Sequence, residues 1–235
     1  MQDFSAAFGL AASLIIGFDA DLIEIIALSL RVSLCAVLLS ALIGFPLGAL
    51  TAVLAFPGRQ AIAVIMNALM GLPPVVVGLL VYMALSRAGP LGWMNLLYSP
   101  TAMILAQTIL VTPIIAALSR QVMEDMHREY DEQFRSLCIP TRRVMTALIW
   151  DSRYSLLTVS LAGFGRAIAE VGAVIIVGGN IDHLTRVMTT AIALETSKGN
   201  LALALALGFV LLILALSVNA AVYSLRASAK RLSYA

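Results

Sequence analysis

The chain has 235 residues, 61% of them hydrophobic and 12% charged, with a formal net charge of +2. A soluble domain spends about a quarter of its residues on charge, so this balance excludes an ordinary water-soluble globule and makes lipid the main solvent. Two cysteines, Cys35 and Cys138, give neither a disulfide framework nor a metal-binding spacing, and His127 and His183 each stand alone in the sequence.

In chain order, the first apolar stretch runs from Phe4 to Phe18, 15 uncharged residues, below the roughly 20 that cross a bilayer as a helix. It reads as a short interfacial or re-entrant lead-in within 1–23, with a tilted extra span as the alternative. No basic residue precedes Arg31, so no cleavable signal peptide is expected.

Charges then divide the chain. There are 27 uncharged residues between Arg31 and Arg59, 27 between Arg59 and Arg87, 32 between Arg87 and Arg120, and 27 between Lys198 and Arg226. Each gap holds a membrane helix, and the spans are expected near 27–54, 61–85, 99–119 and 202–225. A fifth, YSLLTVSLAGFGRAIAEVGAVIIV at 154–177, is interrupted only by Arg166 and Glu170. An uncompensated charge in lipid costs several kcal/mol, so such charges face a protein interior or water. Their i,i+4 spacing would place both side chains on one helical face. Small residues at Gly44, Gly48, Gly163, Gly165 and Gly172 suit close helix packing. Pro46 would remove one hydrogen bond from the first span, and Pro73 and Pro74 are expected to bend or interrupt the second.

With five spans, ten basic residues fall on one side: Arg59, Arg120, Arg128, Arg135, Arg142, Arg143, Arg153, Arg226, Lys230 and Arg231. The other side holds Arg87, Arg186 and Lys198, and Asp3, Asp19, Asp21 and Glu24 precede the first span. The positive-inside rule then predicts an external N-terminus and a cytoplasmic C-terminus. The longest cytoplasmic segment, about 120–153, mixes both signs of charge. Within it Val144, Met145, Leu148 and Ile149 predict an amphipathic helix opening near Pro140, with Thr141 as N-cap. A membrane-hugging solvated loop is the alternative.

No catalytic constellation stands out. Ser152 and Ser155 lack a nearby histidine, His183 beside Asp182 lacks a nucleophile, and no GxxxxGK[ST] phosphate loop is present. His127, among acidic residues, reads as a solvated side chain, and no metal or cofactor is expected on this chain.

The block GFGRAIAEVGAVIIVGGNI, continued by DHLTRVMTTAIALETSKGN, resembles the permease subunit of tungstate ABC transporters, and GLPPVVVGLLVY at 71–82 fits the wider oxyanion-importer pattern. The wider resemblance is to molybdate, sulfate and methionine importer permeases and covers nearly the whole chain. It implies an all-α integral membrane protein of the type I (MetI-like) importer fold, one transmembrane domain over 1–235. It also implies a homodimer, two cytoplasmic ATPase subunits using Mg-ATP, and an external tungstate-binding protein. Molybdate is the nearest alternative substrate, and an assembly protein without a pathway is the reading from another class. The family's coupling pattern falls at Glu132, Gln133 and Phe134, with Cys138 where Gly is typical, and with Leu148, Trp150 and Asp151 where Ile, Leu and Pro usually stand. Only the acidic position of the opening triplet matches. Coupling to the ATPase is thereby expected from Glu132, Arg135, Cys138, Arg142, Arg143, Val144, Met145 and Leu148. Arg166, Glu170, Pro73, Pro74, Gly178, Gly179 and Asn180 are the candidate pathway or switch residues.

Overall fold

A computed structural model describes residues 4–233. Among these residues the regular elements are ten α-helices and one short 3₁₀ turn, Gly92–Met94. Helix α1 (Phe4–Ile16) has 13 residues, about 20 Å at 1.5 Å per residue, against a hydrocarbon core of about 30 Å. It is too short to cross alone.

Helix α2 (Ala20–Val53) runs unbroken through Pro46 for 34 residues. It starts earlier than the span expected at 27, because the Asp19 carboxylate accepts the backbone N–H of Leu22 at 3.1 Å and caps the helix. Asp21 and Glu24 therefore stand on the helix rather than before it. The single span expected at 61–85 is two helices, α3 (Arg59–Leu69) and α4 (Pro74–Leu85). The break follows from the prolines. Pro73, followed by another proline, is extended at φ −63° and ψ 120°, and Pro74 occupies the first helical turn, where no N–H is needed.

Helix α5 (Pro100–Ser136) has 37 residues, about 55 Å of helix, and continues well beyond the end expected at 119. The remaining helices are α6 (Thr141–Asp151), α7 (Arg153–Ile168), α8 (Gly172–Gly178), α9 (Met188–Lys198) and α10 (Leu201–Ser233). Helix α9 lies between the spans expected at 154–177 and 202–225, where the sequence marked no element. Helices α2, α5 and Leu201–Ala221 of α10 are each long and apolar enough to cross a membrane. Two broken pairs, α3 with α4 and α7 with α8, qualify when each is counted as one span, giving up to five.

Contacts group the chain into two compact units. The first comprises Met1–Cys35, Pro73–Gln107 and Ala167–Asn219. There α4 packs on α8 with almost no space between backbones. A Cβ on Gly78 would lie 2.7 Å from Ala173 Cα, and one on Gly172 would lie 2.8 Å from Val75 Cγ2. Val77 and Val81 of α4 and Ala173, Val174 and Val177 of α8 are buried.

The second unit comprises Ala36–Leu72, Thr108–Arg166 and Ala220–Ala235. Its seam is the GxxxG face of α2 against α5. A Cβ on Gly44 would lie 2.8 Å from Ile115 Cγ2, and one on Gly48 would collide with Ser119 Oγ. The Ser119 hydroxyl donates to the Gly44 carbonyl at 3.3 Å, and Ser40 donates to Thr108 at 3.2 Å. Close approach of small residues thus aligns hydroxyls with main-chain carbonyls. Gly163 packs against Val111 and Ile115, whereas a Cβ at Gly165 would meet nothing within 4 Å, so Gly165 makes no such approach.

Candidate functional site

The first unit places a helix break at the charged stretch of the sequence. Helix α7 ends at Ile168 and α8 begins at Gly172, so Glu170 does not share a continuous helical face with Arg166. This corrects the i,i+4 expectation. Arg166 lies in the last turn of α7, and Glu170, 4% exposed, lies in the break.

A break leaves main-chain groups without helical partners, and in a membrane each must find another. Here side chains supply them. Gln107 Nε2 of α5 donates to the Ala167 carbonyl at 3.0 Å, as a second donor beside the Glu170 N–H at 3.1 Å. Thr189 Oγ1 of α9 donates to the Glu170 carbonyl at 2.8 Å. The Glu170 carboxylate accepts the N–H of Ala173 at 3.3 Å, serving the open end of α8. An anionic group at that end also suits the helix dipole.

Helix α8 ends at the pair Gly178–Gly179, with Gly179 as its C-cap. Gly179 is left-handed at φ 71° and Asn180 at φ 50°, conformations that glycine and asparagine tolerate best. The Asn180 amide donates to the Thr190 carbonyl at 3.3 Å, and the Thr190 hydroxyl donates to Asn180 Oδ1 at 2.8 Å. Thr185 donates to the Gly178 carbonyl at 2.6 Å. Asn180 thus ties α8 to α9. Thr185, Thr189 and Thr190 were missed by sequence reasoning, although HLTRVMTT, with three threonines starting three residues after GGN, was the available signal.

Near the start of α2, His183 Nδ1 lies 2.8 Å from Glu24 Oε2, so this histidine is not isolated in space. The hydrogen bond and negative charge of Glu24 raise its pKa above the usual histidine value; Asp182 and Asp21 add to this, and partial desolvation opposes it. Donor atoms of Asp21, Glu24 and His183 all lie within 4.8 Å of one another.

The second unit carries the candidate coupling residues, in two groups. Glu132 and Arg135 sit on the extension of α5 rather than in a loop, both exposed. Arg135 pairs with Asp131 at 2.8 Å. Helix α6 is the amphipathic helix expected from sequence. Pro140 is its N-cap, at φ −65° and ψ 140° with no side-chain cap bond, so Thr141 is the first helical residue and not the cap. Val144 and Leu148 are buried. Met145 and Ile149 pack against a core of Ala49, Ala52, Met123 and Leu156. The apolar side of α6 thus holds the helix on its own unit, with Val144 and Leu148 buried and Met145 and Ile149 half-buried. Outward stand Arg142, Arg143, Thr146 and Trp150, with the Arg153 guanidinium 5.1 Å from the Trp150 ring centre. Cys138, in the link before α6, has φ 49°, a conformation that favours glycine.

In the same unit, Glu124 forms ion pairs with three arginines: Arg59 at 3.3 Å, Arg120 at 3.0 Å and Arg128 at 3.2 Å. Glu124, Arg59 and Arg128 border a cavity of about 490 Å³ that His127, Asp131 and Arg135 also line.

A family model described as the binding-protein-dependent transport system inner membrane component matches residues 44–231. The chain belongs to this family. The permease is 39% identical to the tungstate uptake system permease protein of Peptoclostridium acidaminophilum over 96% of this chain and 99% of that protein. It is 37% identical to the tungstate uptake system permease protein of Campylobacter jejuni, over 73% of this chain and 72% of that protein. With the molybdenum transport system permease protein of Escherichia coli the identity is 27%, over 72% of this chain and 77% of that protein. The permease is therefore a multi-pass membrane protein of the MetI-like fold, and its family implies a binding protein and an ATPase as partners.

Proposed function

We propose that this permease is the membrane subunit of a tungstate importer, working as a homodimer with two ATPase subunits and an external binding protein. The observation that carries the substrate is likeness over nearly the full length of both chains to a tungstate uptake permease. Molybdate is the weaker alternative, since the molybdenum relative is more distant. A purely structural role is disfavoured by membership of a transport family. The permease has no catalytic role on this reading, and the ATPase partner binds and hydrolyses Mg-ATP.

The exposed face of α6, with Arg142, Arg143 and Trp150, is the docking surface for the ATPase, and the outward Glu132 and Arg135 flank it. Arg166, Glu170 and the two helix breaks, at Pro73–Pro74 and at Glu170, are the moving parts of the pathway. Unwound backbone at membrane depth is tolerated only where protein or a water-filled cavity surrounds it, and many transporters form their substrate sites from discontinuous helices of this kind.

The test is reconstitution of the permease with its ATPase and binding protein. Tungstate-loaded binding protein is expected to stimulate ATP hydrolysis and drive tungstate uptake ahead of molybdate and sulfate. Preferred uptake of molybdate would overturn the substrate, and a complex that never hydrolyses ATP in response to loaded binding protein would overturn the transporter.

The N-terminus faces outward and the C-terminus the cytoplasm, by the ten-to-three excess of basic residues. A cysteine introduced at Ile181 is expected to react with an impermeant reagent added outside, and one at Arg142 only after permeabilisation. The reverse pattern sinks this orientation.

A further inference from the structure

We propose that Gln107 and Thr189 are positioning residues of the transport cycle: together they hold the 169–171 break of the membrane helix in its bent form. This rests on the importer reading above. Both side chains are buried, at 4% and 8% exposure, and each donates its hydrogen bond to a carbonyl flanking or inside the break, Ala167 and Glu170. They come from two different helices, α5 and α9. Helix α9 is itself fixed at its first residue, where Met188 N–H donates to Ser29 Oγ of α2 at 2.8 Å.

A small cavity of about 10 Å³ lies between these groups, lined by Ser29, Ser33, Gln107, Glu170 and Thr189. Gln107 Oε1 is buried with no partner in the structure. An unsatisfied acceptor beside a satisfied donor makes the arrangement easy to rearrange, because a shift of the break can offer Oε1 a hydroxyl or amide partner. Simple packing would not require polar groups here, since burying hydroxyls and an amide in a protein interior is costly without bonds. A polar latch on an interrupted helix instead sets the balance between two arrangements of the break. Removing one such bond shifts that balance by about tenfold.

The experiment compares Thr189→Val, Thr189→Ser and Gln107→Met in the complete complex with ATPase and binding protein. Thr189→Val and Gln107→Met are expected to assemble, yet to lose about tenfold in the ratio of binding-protein-stimulated to basal ATP hydrolysis. Thr189→Ser, which keeps the hydroxyl, is expected to retain the wild-type ratio. Hydrogen exchange of 167–173 in the intact complex should quicken in the first two variants and not in the third. Wild-type coupling in Thr189→Val, a serine variant as defective as the valine, or failure of both Thr189→Val and Gln107→Met to assemble would each overturn the proposal. If the wild-type complex ignores tungstate, the substrate reading fails, and the exchange comparison still decides the latch.

Discussion

Glu170→Ala is expected to leave a permease that assembles poorly and takes up no tungstate. The substitution removes the acceptor of the Ala173 N–H, a buried donor whose loss of a partner costs about 1–3 kcal/mol. It also removes one of the two charged residues between Arg153 and Asp182 in the sequence, the other being Arg166. If these charges offset one another, either alanine alone strands a charge at membrane depth, at a cost of about 3–5 kcal/mol. Glu170→Gln retains an oxygen for Ala173 and should assemble better than Glu170→Ala while transporting poorly. Arg166→Ala should resemble Glu170→Ala, and the double alanine variant should assemble better than either. Yield of detergent-stable complex and tungstate uptake measure the two effects separately. Normal uptake in both single variants would show that neither residue serves the pathway. A double variant as unstable as the worse single would remove the idea of mutual compensation.

Leu148→Pro is expected to disconnect the permease from its ATPase. Leu148 is fully buried at 0% exposure and sits in the middle of α6. Proline there costs about 3 kcal/mol in helix alone, and loss of the leucine from the core adds about 2–5 kcal/mol. Helix α6 would no longer lie on Ala49, Met123 and Leu156, and its outward arginines would lose their platform. The complex should lose the ATPase on purification, and binding-protein-stimulated hydrolysis should vanish. Arg142→Ala and Arg143→Ala, which leave the core intact, should weaken association in a salt-dependent manner instead. Full retention of the ATPase by Leu148→Pro would mean that α6 is not its dock.

Much of this was legible in the sequence because lipid imposes a simple rule on composition. Uncharged stretches between Arg31, Arg59, Arg87 and Arg120 mark where the chain crosses, and Pro73–Pro74 marks one interruption correctly. The apolar spacing of Val144, Met145, Leu148 and Ile149 disclosed α6. Hydropathy says nothing, however, of where a helix stops once it leaves the bilayer. The extension of α5 to Ser136 is built from charged residues whose i,i+4 pairs, such as Arg135 with Asp131, support a helix in water. The break at Glu170 was hidden for the opposite reason. No proline announces it, and its stability comes from Gln107 and Thr189, distant in sequence and silent in any local pattern.

Arg59 bears on how orientation is tested. Its guanidinium donates from Nε to the Thr51 carbonyl at 2.7 Å and from Nη2 to the Ala52 carbonyl at 2.9 Å, while also reaching Glu124. The flat, forked head satisfies two carbonyls at the end of α2 and an acidic side chain of α5 together, which a single lysine ammonium on a flexible stem reproduces poorly. A charge-reversal survey that includes this position would therefore disturb the clasp around the Pro57–Gly58 turn as well as the electrostatic address of the loop. Arg142 and Arg143 project from α6 without such bonds among those seen here, and substitutions there change charge while sparing the joinery. The arginines of one membrane face are thus unequal, and Arg59 is a fastening before it is a signpost.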